Sequence, residues 1–359
     1  MMVNLDASLL EKLREPEMAA SHADLRYVSD TGPGITRRRA GKGFAYLKPN
    51  GERLTDPNTL ERINGLAIPP AWTDVWISPD PTGHIQATGR DDRGRKQYRY
   101  HPDWMACRDQ VKFSSLVTFA EALPTLREQV DRDLRRGGMP RERVLASIVW
   151  MLDNTMIRIG NHTYTRENNS FGLTTLRSRH VEIEGSSLRL SFVGKSGKEW
   201  KLKLVDRRIA KILRDIQELP GQHLFQYLDE DGGRQPVHSQ DVNDYIREAA
   251  GPEFTSKDFR TWGGTTMATL LLEQTERPPN KRARSQTLNK AIDVVAGRLH
   301  NTRAVCRRSY IHPDVLEAWE EGRLSEEMAA LRRRFRKPLN GLHSGESLVL
   351  RWLRGNGQR

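Results

Sequence analysis

Cysteine is almost missing from this chain: Cys107 and Cys306 are the only two among 359 residues, far apart and in no CxxC spacing. That excludes a disulfide framework and a structural zinc site, and it suits a reducing cytoplasm. Long apolar runs are missing too, and nothing approaches the roughly 20 consecutive apolar residues of a membrane span. Met1 to Arg14 reads as too acidic, and too short of apolar run, for a signal peptide. No carboxylate or histidine cluster has metal-ligand spacing. The acidic run Asp229-Glu230-Asp231 before Gly232-Gly233 lacks the distal glutamate of a calcium loop and reads as a solvated turn. No internal repeat or low-complexity tract stands out.

Positive charge, by contrast, is plentiful. Lysine plus arginine number 58 against 46 acidic residues, a net charge of +12. The isoelectric point near 9.8 favours a polyanionic partner over a merely basic surface. The length suits two domains, or one large domain with extensions, and an apolar share of 36% is enough to form cores.

The pattern predicts an α+β chain. Residues 1–24 read as an extension. Residues 25–107 are β-rich and loop-rich, with short runs such as Phe44-Ala45-Tyr46-Leu47 and Trp72 to Ile77 between turn signals like Lys48-Pro49-Asn50-Gly51. From about Ser114 to Arg136 the spacing of Leu116, Phe119, Ala120, Leu123 and Leu126 predicts a helix stopped by Gly137-Gly138. A second helix runs from Pro140 to near Gly160. The change of character between about 105 and 113 marks a domain boundary, and residues 112–321 read as mainly helical. Within them, Val181-Glu182-Ile183, Leu188 to Phe192 and Trp200 to Leu204 alternate with period two and predict a small sheet. The tip Gly194-Lys195-Ser196-Gly197-Lys198 joins the last two runs as a hairpin. Helices are expected at about 206–218, 239–250, 257–273 and 286–300, with Ser239 and Ser256 as N-caps. Residues 322–359 form a basic tail, with one helix up to Lys337 and a flexible last stretch ending Gly355-Asn356-Gly357.

Tyr310 is a phenol among arginines and amides, in the segment Leu299 to Pro313, expected on a helix. A tyrosine, with a reference pKa near 10, becomes a nucleophile at neutral pH only where cations stabilise the phenolate. Arg158 closes an otherwise apolar helix and so is expected to be partly buried; either an anion meets it or it pairs with Asp153 or Glu167. Lys195, on the hairpin tip, could reach a DNA groove or protonate a leaving group, or it is a solvated turn residue. The fragment Gly194-Lys195-Ser196 is no nucleotide-binding loop, because position 189 is arginine and no helix follows. Arg260 lies in the first turns of a helix, before Gly263-Gly264, which permit close approach of another backbone; it is either a phosphate contact or a surface arginine. Cys306 reads as a small buried residue. In the first domain Arg95, Gln97 and Arg99 alternate with Lys96, Tyr98 and Tyr100. That strand could hold phosphates and reach base edges, or it is an ordinary charged edge.

The order of Arg158, Lys195, Arg260, Asn301 and Tyr310 resembles the type IB DNA topoisomerases, in the small form of poxviruses and bacteria. The likeness runs from about Leu25 to Val315. Its carriers are Arg158-Ile159-Gly160, Phe192-Val193-Gly194-Lys195, Lys257-Asp258-Phe259-Arg260-Thr261 and Ser309-Tyr310. Tyr164 also resembles a DNA-contact position, as do Arg95, Gln97, Tyr98 and Tyr100. Poxvirus members carry histidine where this chain has Asn301, beside His300; an amide can still donate to a phosphate oxygen.

The resemblance implies a β-rich domain and a mainly α catalytic domain clamping duplex DNA as a monomer associated with the nucleoid. It implies attack by Tyr310 on a backbone phosphorus, a 3′-phosphotyrosine, and religation without ATP or metal. Arg158, Arg260 and Asn301 would stabilise the phosphoryl oxygens and Lys195 would protonate the leaving 5′-oxygen. Tyrosine recombinases share this chemistry but typically carry histidine three residues before the second arginine, where this chain has Lys257. A non-catalytic DNA-binding protein would account for the charge but not for the ordered residues.

Overall fold

The computed structural model of the chain describes Leu5 and residues 7–356. Contacts among these residues separate into one unit up to Ser115 and another from Leu116 onward.

The first unit opens with α1 (Ala7–Arg14) and α2 (Pro16–His22). A five-stranded antiparallel sheet follows, built from β1 (Ile35–Ala40), β2 (Gly43–Leu47), β3 (Thr73–Ile77), β4 (Ile85–Arg90) and β5 (Lys96–Tyr100) in the order β2-β1-β3-β4-β5. Helix α3 (Pro57–Gly65) covers its inner face. Asp56 starts that helix by accepting from the Thr59 N–H at 2.8 Å, and Ile63 inserts among Ile35, Val75, Ile77 and Ala87.

Helix α4 (Pro102–Leu134) begins earlier than the sequence predicted. Trp104, Cys107 and Val111 continue its apolar face toward the N-terminus: the first two bury against Ala19, Ala20 and Leu25, and Val111 against Leu10 and Leu13. The extension is therefore tied down by helix packing that its own short, charged helices do not advertise.

The second unit is mainly helical. Helix α5 (Arg141–Thr155) is buried on almost every side, as a central helix must be, and α6 (His162–Asn168) follows. A three-stranded antiparallel sheet comes next, β6 (Val181–Glu184), β7 (Ser187–Val193) and β8 (Glu199–Val205), with Leu188, Leu190, Phe192 and Trp200 on its buried face. Helix α7 (Arg207–Gln217), a short hairpin of β9 (Gln226–Leu228) and β10 (Arg234–Pro236), and α8 (Ser239–Ala250) lead to α9 (Ser256–Leu272) and α10 (Lys281–Leu299). The caps of α8 and α9 fall one residue before the serines expected. Thr255 and Asp258 satisfy each other's neighbourhood, with the Thr255 N–H donating to Asp258 Oδ2 at 2.8 Å, and the His238 N–H donates likewise to Asp241 Oδ2.

Helices α11 (Arg303–Ser309), α12 (Pro313–Glu321), α13 (Leu324–Arg334) and α14 (Ser344–Asn356) complete the unit. The last of these corrects the expectation of a flexible end. Leu348, Val349, Leu350, Trp352 and Leu353 are all buried in the main core, a face that glycine and arginine around it obscure in the sequence. Gly357 lies outside the described residues. The arginine-rich helix stops at Arg334, three residues short of the expected Lys337.

Candidate active site

Four elements of the second unit converge on Tyr310. Arg158 comes from the turn after α5. That helix ends at Thr155, earlier than predicted, because Met156 takes a left-handed conformation (φ 57°) and turns the chain. The extended backbone of Arg158 and Ile159 then bonds to the next segment, Leu173 N–H to Arg158 O at 2.9 Å and Thr174 N–H to Ile159 O at 2.8 Å. Gly172 makes this contact possible, since a Cβ there would lie 2.6 Å from the Arg158 carbonyl oxygen. Arg158 pairs with neither Asp153 nor Glu167; Asp153 is taken by Arg127 at 2.8 Å. Its guanidinium Nη2 donates instead to Asn301 Oδ1.

Asn301 follows the end of α10. His300 closes that helix in a left-handed conformation (φ 49°), and its ring stacks on Trp200 of β8 at 3.9 Å. Asn301 thus stands outside the helix, and the two adjacent side chains diverge at this turn. With its oxygen engaged by Arg158, Asn301 is left with Nδ2 buried and without a hydrogen-bond partner. A buried amide donor in that state is free to bond an oxygen brought next to it.

Arg260 lies on the buried side of α9, only 3% exposed. Its Nη2 donates to the Leu299 carbonyl at 2.8 Å and its Nη1 to the Met156 carbonyl, so one guanidinium ties together the turns that carry Asn301 and Arg158. The same group lies 5.0 Å from the centre of the Tyr310 ring. Burial, then the neighbouring Arg158 charge, lowers the Arg260 pKa to about 10, so it is a cation at neutral pH.

Tyr310 terminates α11 rather than lying within it, its N–H donating to the Cys306 carbonyl at 3.0 Å. Its ring is half-buried. Burial alone would push the phenol up, but the charge and hydrogen bonding of Arg260, with the charges of Arg158 and Lys195, outweigh it and hold the phenol below its ordinary value. Lys195 itself is exposed on the β7–β8 tip, where Ser196 (φ 62°) and Gly197 (φ 72°) make the turn. Cys306 is fully buried, and burial pushes its thiol up to about 11, so it is an inert packing residue.

Two positions that fix the phenol were not read from the sequence as parts of the site. Thr265 on α9 donates from its hydroxyl to the Tyr310 carbonyl (3.3 Å) and accepts from the His312 N–H (3.1 Å). Gly264 lies directly under the same carbonyl: a Cβ there would come within 2.6 Å of it. The close approach expected at Gly263-Gly264 is thus to the nucleophile's own backbone. Gly264→Ala is expected to displace Tyr310, destabilising the protein by about 1–3 kcal/mol, with a fall in activity larger than the loss of folded protein; thermal unfolding and activity measured on one preparation check this.

In the first unit, Arg95 and Gln97 both hold Asp91, at 2.8 and 2.9 Å. The Arg95 hydrogen bond is the main reason the Asp91 carboxyl falls to about 2. Tyr98 and Tyr100 stack on one face of the edge strand β5, centroids 5.7 Å apart and nearly parallel, and both are exposed. Lys96 lies 5.5 Å from the Tyr98 ring and pairs with Asp30 at 2.6 Å. Tyr164 is half-exposed on α6, which Asn161 caps by accepting from the Tyr164 N–H at 2.9 Å. Among the described residues no group of three or more histidines, cysteines or carboxylates is arranged to hold a metal ion, and no helix is long and apolar enough to cross a membrane.

The family model for the eukaryotic DNA topoisomerase I catalytic core matches residues 101–335. The chain belongs to the type IB DNA topoisomerase family. A second family model, the bacterial DNA topoisomerase IB N-terminal domain, matches residues 43–91, which run from β2 through α3 and β3 to the end of β4. The chain is 36% identical to the DNA topoisomerase 1B of Acanthamoeba polyphaga mimivirus over 295 residues, covering 80% of this chain and 88% of the relative. It is 24% identical to the DNA topoisomerase 1B of Vaccinia virus (strain Copenhagen), over 76% of this chain and 89% of that protein. The DNA topoisomerase 1 of Mycosarcoma maydis is 28% identical over 189 residues, which is 47% of this chain and 18% of that larger protein.

Proposed function

We propose that this protein relaxes supercoiled duplex DNA by transient cleavage of one strand at Tyr310. The observation that carries the reading is a half-buried tyrosine whose ring lies 5.0 Å from the buried Arg260 guanidinium, a group that also ties together the turns carrying Arg158 and Asn301. Phosphoryl transfer needs little covalent chemistry from a protein beyond positioning a nucleophile and stabilising charge on the non-bridging oxygens.

In this reading Tyr310 Oη forms a bond to a backbone phosphorus while the bond from phosphorus to the 5′-oxygen breaks. The phenolic proton leaves to solvent, and Lys195, closing on its hairpin tip, gives a proton to the departing oxygen. Arg158, Arg260 and the unpartnered Asn301 amide donate to the phosphoryl oxygens. The 3′-phosphotyrosine keeps the energy of the phosphodiester, so the 5′-hydroxyl can attack in reverse and reseal the strand after rotation. No ATP is consumed, and arginine and lysine supply the charge that a metal ion supplies in other phosphoryl transfers. Tyr98 and Tyr100 would stack against the bound strand, and Arg95 and Gln97, oriented by Asp91, would hold phosphates or base edges. Tyr164 would contact the strand from the second unit.

The test is relaxation of negatively and positively supercoiled plasmid with EDTA present and ATP absent. Relaxation of both signs is expected. Failure to relax either would overturn the reading.

A further inference from the structure

Helix α14 lies beyond the 101–335 segment that the family shares with its catalytic core, yet it reaches the two elements that deliver Arg158 and Arg260. The link is Glu346, whose side chain is 12% exposed. Its Oε1 accepts from Arg127 Nη2 (2.8 Å) and from Trp262 Nε1 (3.0 Å). Its Oε2 accepts from Arg127 Nη1 (2.8 Å) and from the His343 N–H (2.9 Å).

Arg127 on α4 is the other half of the link. Its remaining N–H groups go to Asp153 Oδ2 (2.8 Å), Asp153 Oδ1 (3.0 Å) and the Gly341 carbonyl (3.0 Å). All five donors of the guanidinium fork are thereby used. A doubly bidentate arginine fixes distances in a way that a lone exposed pair does not.

Asp153 stands in the last turn of α5, five residues before Arg158. Trp262 stands two residues after Arg260 on α9, about 200° round the helix at 100° per residue, so one faces α14 while the other faces the phenol. The network therefore grips α5 and α9 from behind, on the side away from Tyr310. Burial would raise the Glu346 carboxyl, but Arg127 outweighs it and keeps the carboxylate ionised.

We infer that Glu346 is a positioning residue for DNA cleavage: through Arg127 to Asp153, and directly to Trp262, the C-terminal helix sets the placement of Arg158 and Arg260 about the phenol. This rests on the reading of the site given above.

Glu346→Ala and Glu346→Gln are compared with wild type for formation of the covalent adduct on plasmid DNA, with protein in excess, across a range of pH. DNA affinity is measured on the same substitutions in a Tyr310→Phe background. Glu346→Ala is expected to slow adduct formation at least ten-fold, change DNA affinity less than two-fold, and move the rising limb of the pH profile upward. Glu346→Gln, which retains an acceptor oxygen, is expected to recover part of the rate.

A lowered melting temperature with wild-type rate and pH profile would overturn the inference, leaving Glu346 a purely structural residue. Should Glu346→Ala not fold, Trp262→Phe decides: it removes one hydrogen bond, and at least three-fold slowing is expected, whereas a wild-type rate in both Trp262→Phe and Glu346→Gln overturns the inference. Absence of adduct from the wild-type protein would instead overturn the functional reading, and this inference with it.

Discussion

Tyr310→Phe is expected to abolish plasmid relaxation, with a loss on the order of 10⁴-fold or more, as when a nucleophile is removed from other covalent catalysts. The substitution deletes one oxygen and with it the hydrogen bond to Arg260. The half-buried ring keeps its packing, and the backbone contacts that place it, from Thr265 to the Tyr310 carbonyl and from the Tyr310 N–H to Cys306, do not involve the hydroxyl. Thermal stability should therefore change by no more than about 1–3 kcal/mol, the contribution of that one charged hydrogen bond. Noncovalent DNA binding should persist, because the surrounding cations are untouched. Relaxation, melting temperature and DNA affinity on one preparation separate these effects; relaxation at the wild-type rate would mean that another group carries the chemistry.

Arg260→Ala is expected to slow cleavage by at least about 10²–10³-fold, the usual effect of removing a group that stabilises transition-state charge. It should also cost stability, since the carbonyls of Met156 and Leu299 lose their donor. An unsatisfied buried acceptor costs about 1–3 kcal/mol, so the melting temperature should fall as well. Arg260→Lys restores charge but cannot span both carbonyls and should recover only part of the rate.

The pH dependence gives a sharper signature. In the native protein, cleavage should rise with pH as the phenol ionises, centred below the ordinary tyrosine value near 10. It should fall again as Arg260 loses its proton near pH 10. Without Arg260, burial of the phenol is opposed only by Arg158 and Lys195, so the rising limb should move to higher pH. An unchanged profile would separate Arg260 from the ionisation of Tyr310.

The parts of this site legible in the sequence were those set by side-chain type and local periodicity. The small sheet that presents Lys195 follows from strict alternation in Leu188 to Phe192 and Trp200 to Leu204, and it appears as β7 and β8 with only the end residues extended. Helices α8 and α9 fall within a residue of expectation for the same reason.

What was not legible depends on backbone groups and on contacts distant in sequence. The Met156 and Leu299 carbonyls that orient Arg260 carry no side-chain signal. Asn301 and His300 are separated by a left-handed turn that a helical reading of the segment excludes. Asp91, which holds Arg95 and Gln97, could have been found, because aspartate at the start of Asp91-Asp92-Arg93-Gly94 is a turn-forming position. The C-terminal helix was hidden because it is only thirteen residues long, its apolar residues run only from Leu348 to Leu353, and it sits between arginine-rich and glycine-rich flanks.

The central claim is that Tyr310 bonds to a 3′-phosphate. Protein and plasmid DNA are mixed without ATP, the adduct is trapped with detergent, the DNA is digested, and the modified peptide is located by mass spectrometry while the free DNA end is tested for 5′-phosphorylation by a kinase. A nucleotide on the peptide containing Tyr310, joined through its 3′-phosphate and leaving a 5′-hydroxyl that the kinase labels, is the expected result. An adduct on any other residue, or one joined through a 5′-phosphate, would contradict it.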